Sequence, residues 1–294
     1  MIQVVLLAAL LAHGPGETRQ SIGAGGRMRT FLLYQPTGLP DRAPLLIALH
    51  GRLGTGAGME RLTHFEAVAD REKFLLIFPD GVKKSWNDGR GTPAERRGVD
   101  DVGFIRALID SAVRHCGADP RRIYVTGISN GGFMTMRLAA ELSDKIAAVA
   151  VVAATMDQQT VDRARGVHPL SVLLLHGTKD PLVPFGGGAV HSNAGGPILS
   201  HDASVNWWVK LDECQPSPTV RSIPDSAGDG TAVTVRDYPG GKEGTEVLDY
   251  VIANGGHTWP GGWQYLPVLL VGRTSRNLDA SEAIWVFFKR HGKK

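Results

Sequence analysis

Residues 127–136 read "GISNGGFMTM": a serine with a glycine two places to either side. The stretch leading in, "RRIYVTGIS" (121–129), is a β-branched apolar run, and residues 131–143 carry apolar side chains at helical spacing. A serine at a strand-to-helix junction is either part of a tight turn or a nucleophile raised on a sharp bend. In the second case its neighbours two residues away must be small, because they pass close to one another. The remainder of the chain separates these readings.

On either side of this junction, short apolar runs alternate with amphipathic ones. "MRTFLLYQP" (28–36) reads as a strand and "APLLIALHG" (43–51) as a fully buried one. Residues 57–72 read as helical, "FLLIFPD" (74–80) as a strand, and 81–100 as a long polar loop. Val102, Ile105, Leu108, Ile109, Ala112 and Val113 recur at helical spacing, with Asp100 or Asp101 placed to cap that helix. "KIAAVAVVAA" and "PLSVLLLHG" are two further apolar strands. A Gly-rich segment (184–198) precedes a helix carrying Trp207 and Trp208, then comes a strand–turn–strand pair over "TAVTVRDYPGGKEGTEVLDYVI". The last helix has Ile284, Phe287 and Phe288 on one face. Continuous apolar strands separated by helices predict a mostly parallel central sheet with helices on both faces. Without an internal repeat or a low-complexity linker, residues 17–294 read as one α/β domain with no large cap.

Composition agrees with a globular chain: 294 residues, 43% hydrophobic and 21% charged, net charge +3 with both signs interspersed. No basic block or aromatic-basic stripe is present, so nucleic acid is not expected as a partner. The apolar run Val4–Ala12 is too short to span a bilayer and resembles the end of a secretory signal, so 1–16 is expected to be a signal remnant and the protein to be exported. No other segment is expected to enter a membrane. The two cysteines, Cys116 and Cys214, have no zinc spacing, and the sequence leaves open whether they pair. It also leaves the oligomeric state open.

A serine hydroxyl needs a base to act as nucleophile at neutral pH, and the base needs an acid to orient it. On an α/β-hydrolase scaffold these follow the serine in the order acid, then histidine. "LLLHGTKDPLVPF" puts Asp180 just beyond a buried strand, and "DYVIANGGHTWPGG" puts His257 on a Gly-flanked loop after another. His64 and His115 lie on helix patterns, His291 near the terminus, and His191 and His201 in or near the Gly-rich segment. His50 and His176 both end strands as "HG" and read as packing residues. A tetrahedral intermediate also requires two backbone N–H donors. Asn130, following the serine, and Arg52, following "LLIALHG", are the expected pair. No metal or organic cofactor is required by this chemistry.

Taken together, "LLIALHG", "FPDG", "SWN", "VDDVGFIRALID", "DPRRIYVTGISNGGFMTMRLA", "LLHGTKDPLVPF" and "GGHTWPGG" resemble the polyhydroxybutyrate depolymerase/feruloyl-esterase-like serine esterases, in order from about residue 26 to 290. The resemblance implies secreted α/β-hydrolases that cleave hydroxyalkanoate polyesters, or hydroxycinnamate and acetyl esters of plant polysaccharides. It implies Ser129 as nucleophile, Asp180 as acid and His257 as base, and a substrate that is a polyester oligomer or a polysaccharide ester. It further implies that Trp259 borders the ester-binding cleft and that Trp86 lies on a loop near it. The chain departs from the family in having Arg52 where many relatives have cysteine. It also lacks a cysteine in the "RDYPGG" region to pair with Cys214.

Overall fold

The computed structural model describes residues 15–164, 166–190 and 195–293. The signal-like run Val4–Ala12 and His191 therefore lie outside the described residues. The strands are β1 (Gly16–Ala24), β2 (Arg27–Gln35), β3 (Ala43–Leu49), β4 (Leu75–Pro79), β5 (Ala118–Ile128), β6 (Ala148–Val152), β7 (Ser171–Gly177), β8 (Thr219–Ile223), β9 (Ala232–Tyr238) and β10 (Val247–Ala253). Between and after them run α1 (Gly56–Thr63), α2 (Phe65–Glu72), α3 (Pro93–Arg96), α4 (Asp101–His115), α5 (Asn130–Glu141), α6 (Gln158–Arg163), α7 (His201–Leu211), α8 (Val268–Val271) and α9 (Ala280–Phe288).

The strands join in one sheet, ordered β1-β2-β4-β3-β5-β6-β7-β10-β9-β8. The block from β4 to β10 is parallel throughout. Antiparallel pairs extend it at both edges: β1 and β2 on one side, β9 and β8 on the other. Alternate side chains of each central strand feed opposite layers. Leu45, Ile47 and Leu49 of β3 belong to the same buried layer as Phe104 and Leu108 of α4, Phe133 of α5 and Trp208 of α7. Leu46 and Ala48 belong to the opposite layer, with Phe65 of α2 and Ile284, Phe287 and Phe288 of α9. A parallel strand covered on both faces has no polar row, which is why these runs are continuously apolar. Each fully buried Leu or Ile contributes about 1.5–3 kcal/mol.

The departures from the sequence expectations have local causes. The helical stretch 57–72 breaks at His64, which adopts φ 51° and ψ 33° and donates its N–H to Glu60 O. Thr63 Oγ1 bonds the Met59 carbonyl in the same turn. The polar loop 81–100 contains α3, capped by Thr92 and entered through Pro93. β1 and β8 go unread in the sequence because, as edge strands, they leave most of their side chains in water. Asp100 caps α4, its carboxylate accepting from Gly103 N at 2.7 Å. Cys116 and Cys214 are both free thiols. Among the described residues no helix is long and apolar enough to cross a membrane.

Candidate active site

Because six neighbouring strands run the same way, their C-terminal ends share one sheet edge, where ligands sit in open α/β sheets. Four loops that carry sequence-predicted residues leave that edge: His50–Arg52 after β3, Ser129 after β5, Asp180 after β7 and His257 after β10.

Ser129 sits between β5 and α5 with φ 57° and ψ −123°, a conformation L-residues rarely adopt. Its N–H is anchored on Val152 O at 3.0 Å, and its carbonyl caps α5 through Phe133 N at 2.9 Å. The flanking glycines are dictated by space. A Cβ on Gly127 would lie 2.5 Å from the Gly131 carbonyl, and one on Gly131 would run into the carbonyls of Leu49 and His50. The β3 loop is pressed against the same turn, since a Cβ on Gly51 would be 3.4 Å from Ser129 Cβ. Ser129 remains partly exposed.

Asp180 and His257 meet because the loops after β7 and β10 are laced together. Thr178 N–H bonds Ile252 O at 3.0 Å and Lys179 N–H bonds Gly255 O at 2.9 Å. A Cβ on Gly177 would clash with the Gly255 carbonyl. His257 Nδ1 then lies 2.8 Å from Asp180 Oδ2, with both side chains almost fully buried. Asp180 Oδ1 accepts the N–H groups of Leu182 and Val183, each at 2.8 Å. Burial works to raise the Asp180 pKa, but His257 and His176 beside it hold the carboxyl well below the usual range. Tyr265 Oη donates to the His257 carbonyl at 2.5 Å, fixing the loop from outside. Among the described residues the Ser129 hydroxyl makes no hydrogen bond.

The amide N–H groups of Arg52 and Asn130 make no hydrogen bond among the described residues. The loop carrying Arg52 is held by His50, whose Nδ1 donates to Gly51 O at 2.7 Å and whose Nε2 accepts Gly81 N–H at 2.9 Å. Burial lowers the pKa of His50, favouring this neutral tautomer. Sequence reasoning treats His50 as packing, and the two bonds explain what the packing achieves.

Both tryptophans that the resemblance places at or near the ester-binding cleft are buried, and Trp86 lies on a loop beside His50 and Asn130. Trp86 is fully buried, its indole N–H donating to His50 O at 2.8 Å and its backbone N–H to Asn130 Oδ1 at 2.8 Å. Asn130 Nδ2 in turn donates to Asp88 Oδ2 at 2.8 Å and to Trp86 O at 3.1 Å. The "SWND" loop is thus a clamp on the first residue of α5. Trp259 is 1% exposed, donates to Ser281 Oγ at 3.1 Å and meets Phe65 edge-on at 6.0 Å. Neither indole lines an open cleft. Exposed apolar side chains stand instead at Leu53, beside Arg52, and at Trp263, Leu266, Leu269 and Leu270, beyond His257. Single apolar residues in loops and in a helix as short as α8 carry no periodic signal, so the sequence does not single them out.

Comparisons with known proteins agree with this architecture. Residues 39–194 match the phospholipase/carboxylesterase family model. A Nocardia uniformis subsp. tsuyamanensis protein assigned as an esterase, NocK, is 31% identical over 278 residues, covering 90% of this chain and 80% of its own length. Feruloyl esterase B of Piromyces equi is 30% identical over 200 residues, 65% of this chain and 37% of the relative. Poly(3-hydroxyalkanoate) depolymerase C of Paucimonas lemoignei is 34% identical over 134 residues, 44% of this chain and 31% of the relative. The chain thus spans about a third of the length of each of these last two. The acetyl xylan esterase structure from Aspergillus awamori superposes with a TM-score of 0.59 at 16% identity, over 82% of this chain and 94% of that one, which speaks to the fold alone. The strand-to-helix bend at Ser129, the parallel sheet and these matches lead to one statement: the chain belongs to the phospholipase/carboxylesterase family of α/β-hydrolases and is a carboxylic ester hydrolase of the serine-esterase type.

Proposed function

We propose that Ser129, His257 and Asp180 form the catalytic triad. His257 Nε2 takes the Ser129 hydroxyl proton as Oγ attacks the ester carbonyl carbon. His257 then gives that proton to the departing alcohol, and water attacking the acyl-Ser129 ester repeats the cycle and regenerates the serine. The observation that carries this reading is the buried 2.8 Å bond between His257 Nδ1 and Asp180 Oδ2. It commits Nδ1 as the donor and leaves Nε2 to act as the base. The Ser–His bond closes when substrate arrives, as catalytic hydrogen bonds in free enzymes are often long. The Arg52 and Asn130 N–H groups receive the developing oxyanion, with the N-terminus of α5 adding a favourable dipole.

The substrate class is a hydroxyalkanoate-type oligoester. The exposed Leu53, Trp263, Leu266, Leu269 and Leu270 favour a chain with apolar segments, and the depolymerase relative supports the same class. A second reading, a feruloyl or acetylxylan ester, is favoured by the longer match to feruloyl esterase B. Trp86 and Trp259, buried and hydrogen-bonded, hold the loops in both readings.

In a panel of p-nitrophenyl acyl esters, 3-hydroxybutyrate oligomers, methyl ferulate and acetylated xylan, the first two are expected to turn over fastest, with a burst of alcohol. Ser129→Ala is expected to lower kcat on the order of a million-fold. Faster turnover of ferulate or acetylxylan by orders of magnitude overturns the oligoester class. Full activity in the alanine variant overturns the triad.

A further inference from the structure

Asp180 Oδ2 faces two imidazoles. His257 Nδ1 is one, and His176 Nε2, 3.3 Å away, is the other. His176 is the sixth residue of β7, fully buried, and its Nε2 also lies 3.0 Å from Val183 O. Both neighbours of Nε2 are acceptors, so Nε2 carries the hydrogen and shares it between Val183 O, the nearer, and Asp180 Oδ2. Nδ1 is buried and has no partner among the described residues. A bare lone pair there costs less than a stranded N–H or a stranded positive charge.

Apart from Asp180, the surroundings of this ring disfavour a second proton. Phe185 lies 5.4 Å away, centroid to centroid, and His201 5.3 Å. His201, the first residue of α7, is stacked on Phe185 at 4.6 Å and bonds Asp249 Oδ1 on β10 at 2.7 Å. Asp249 is in turn neutralised by Arg236 of β9 at 2.5 Å, and Arg236 also reaches Asp202 at 2.7 Å. Of the charges near His176, Asp180 alone favours the cation, while burial, His201 and His257 oppose it, and its pKa is lowered.

We infer that His176 is a positioning residue of the esterase centre, a neutral imidazole whose Nε2–H pins Asp180 Oδ2 and thereby the acid that orients His257. The inference rests on the triad reading above. A neutral donor holds the carboxylate in place while leaving its charge for the His257 imidazolium. Without it, Asp180 is less well compensated and grips the His257 proton harder. The acid limb of the kcat/KM profile then moves to higher pH. His176 is buried away from any surface a substrate could reach, so KM is expected to stay.

The test has a variant arm and a wild-type arm. His176→Phe keeps a ring and loses the donor; it is expected to lower kcat about 10- to 100-fold, the worth of one hydrogen bond to a charged group, with KM nearly unchanged and the acid limb raised. His176→Gln, which keeps an N–H, is expected to recover most of the loss. Equal defects in both variants with an unmoved acid limb overturn the inference in favour of simple packing. In the wild-type protein, nitrogen-15 correlation spectra of the histidine rings are expected to show His176 unprotonated at Nδ1 and untitrated between about pH 5 and 9. A proton on Nδ1, or titration in that range, overturns it whether or not the variants fold. Wild-type protein that hydrolyses no ester overturns the triad reading instead, and the ring spectra still judge the His176 contact independently.

Discussion

At the scale of single residues, the elbow around Ser129 is a packing problem solved by absent side chains. The φ of 57° at Ser129 is tolerated because β5, α5 and the β3 loop hold the turn from three sides. Gly131 faces the carbonyls of Leu49 and His50 with no room for a methyl group. Gly131→Ala is therefore expected to cost about 3 kcal/mol or more of stability, because backbone rather than a flexible side chain must yield. Urea unfolding checks this; a loss below about 1 kcal/mol contradicts the close approach. Serine and glycines are legible in the sequence as a motif. His176 is not, since "HG" ending a strand looks the same whether the ring packs or supports a carboxylate.

At the scale of elements, the loop 81–100 is long and polar yet ordered, because buried charges stitch it to its neighbours. Arg29 of β2 meets Asp101 of α4 at 2.7 Å, both side chains at most 3% exposed, while Asn87 N–H occupies the other carboxylate oxygen at 2.7 Å. The Arg29 guanidinium also lies 4.0 Å from the centre of the Phe104 ring. Arg29→Met is expected to destabilise the fold by about 3–5 kcal/mol, by leaving Asp101 charged and unpaired. Adding Asp101→Asn is expected to recover part of the loss, since the amide no longer strands a charge. Thermal melts of the two single variants and the double variant decide it: strictly additive losses contradict the pairing. Helix spacing in the sequence locates α4 and narrows its cap to Asp100 or Asp101, of which Asp100 caps it. It cannot locate the partner of Asp101, which stands 72 residues away on β2.

At the scale of the whole molecule, the parallel block also buries groups that take no part in the proposed chemistry, and they set its response to pH. Asp212, just past α7, is buried; Oδ1 accepts Leu170 N–H at 3.2 Å and Oδ2 has no partner among the described residues. Burial pushes its pKa up to about 7. With the folded value above the unfolded one, near 3.9, the native state holds the proton longer. Stability from this group is then full below about pH 4, falls as pH rises, and levels off above about pH 7. Asp212→Asn is expected to be close to neutral at pH 4 and stabilising at pH 8, on the order of 2 kcal/mol. Denaturant titrations at the two pH values test the sign. The sequence by itself determined the parallel block, the helices on both faces, the strand-to-helix bend at Ser129 and the order in which Ser129, Asp180 and His257 follow buried strands. Those features are written in local spacing, because a strand buried on both faces must be apolar throughout and a sharp turn must have glycines. Only the tertiary structure decided that Asp180 meets His257, that both tryptophans are buried clamps, that β1 and β8 complete the edges, and that His176 sits on Asp180. Each of these depends on contacts between segments or on a side chain's environment, and burial and hydrogen bonding at such places are properties of the assembled sheet rather than of any one run of residues.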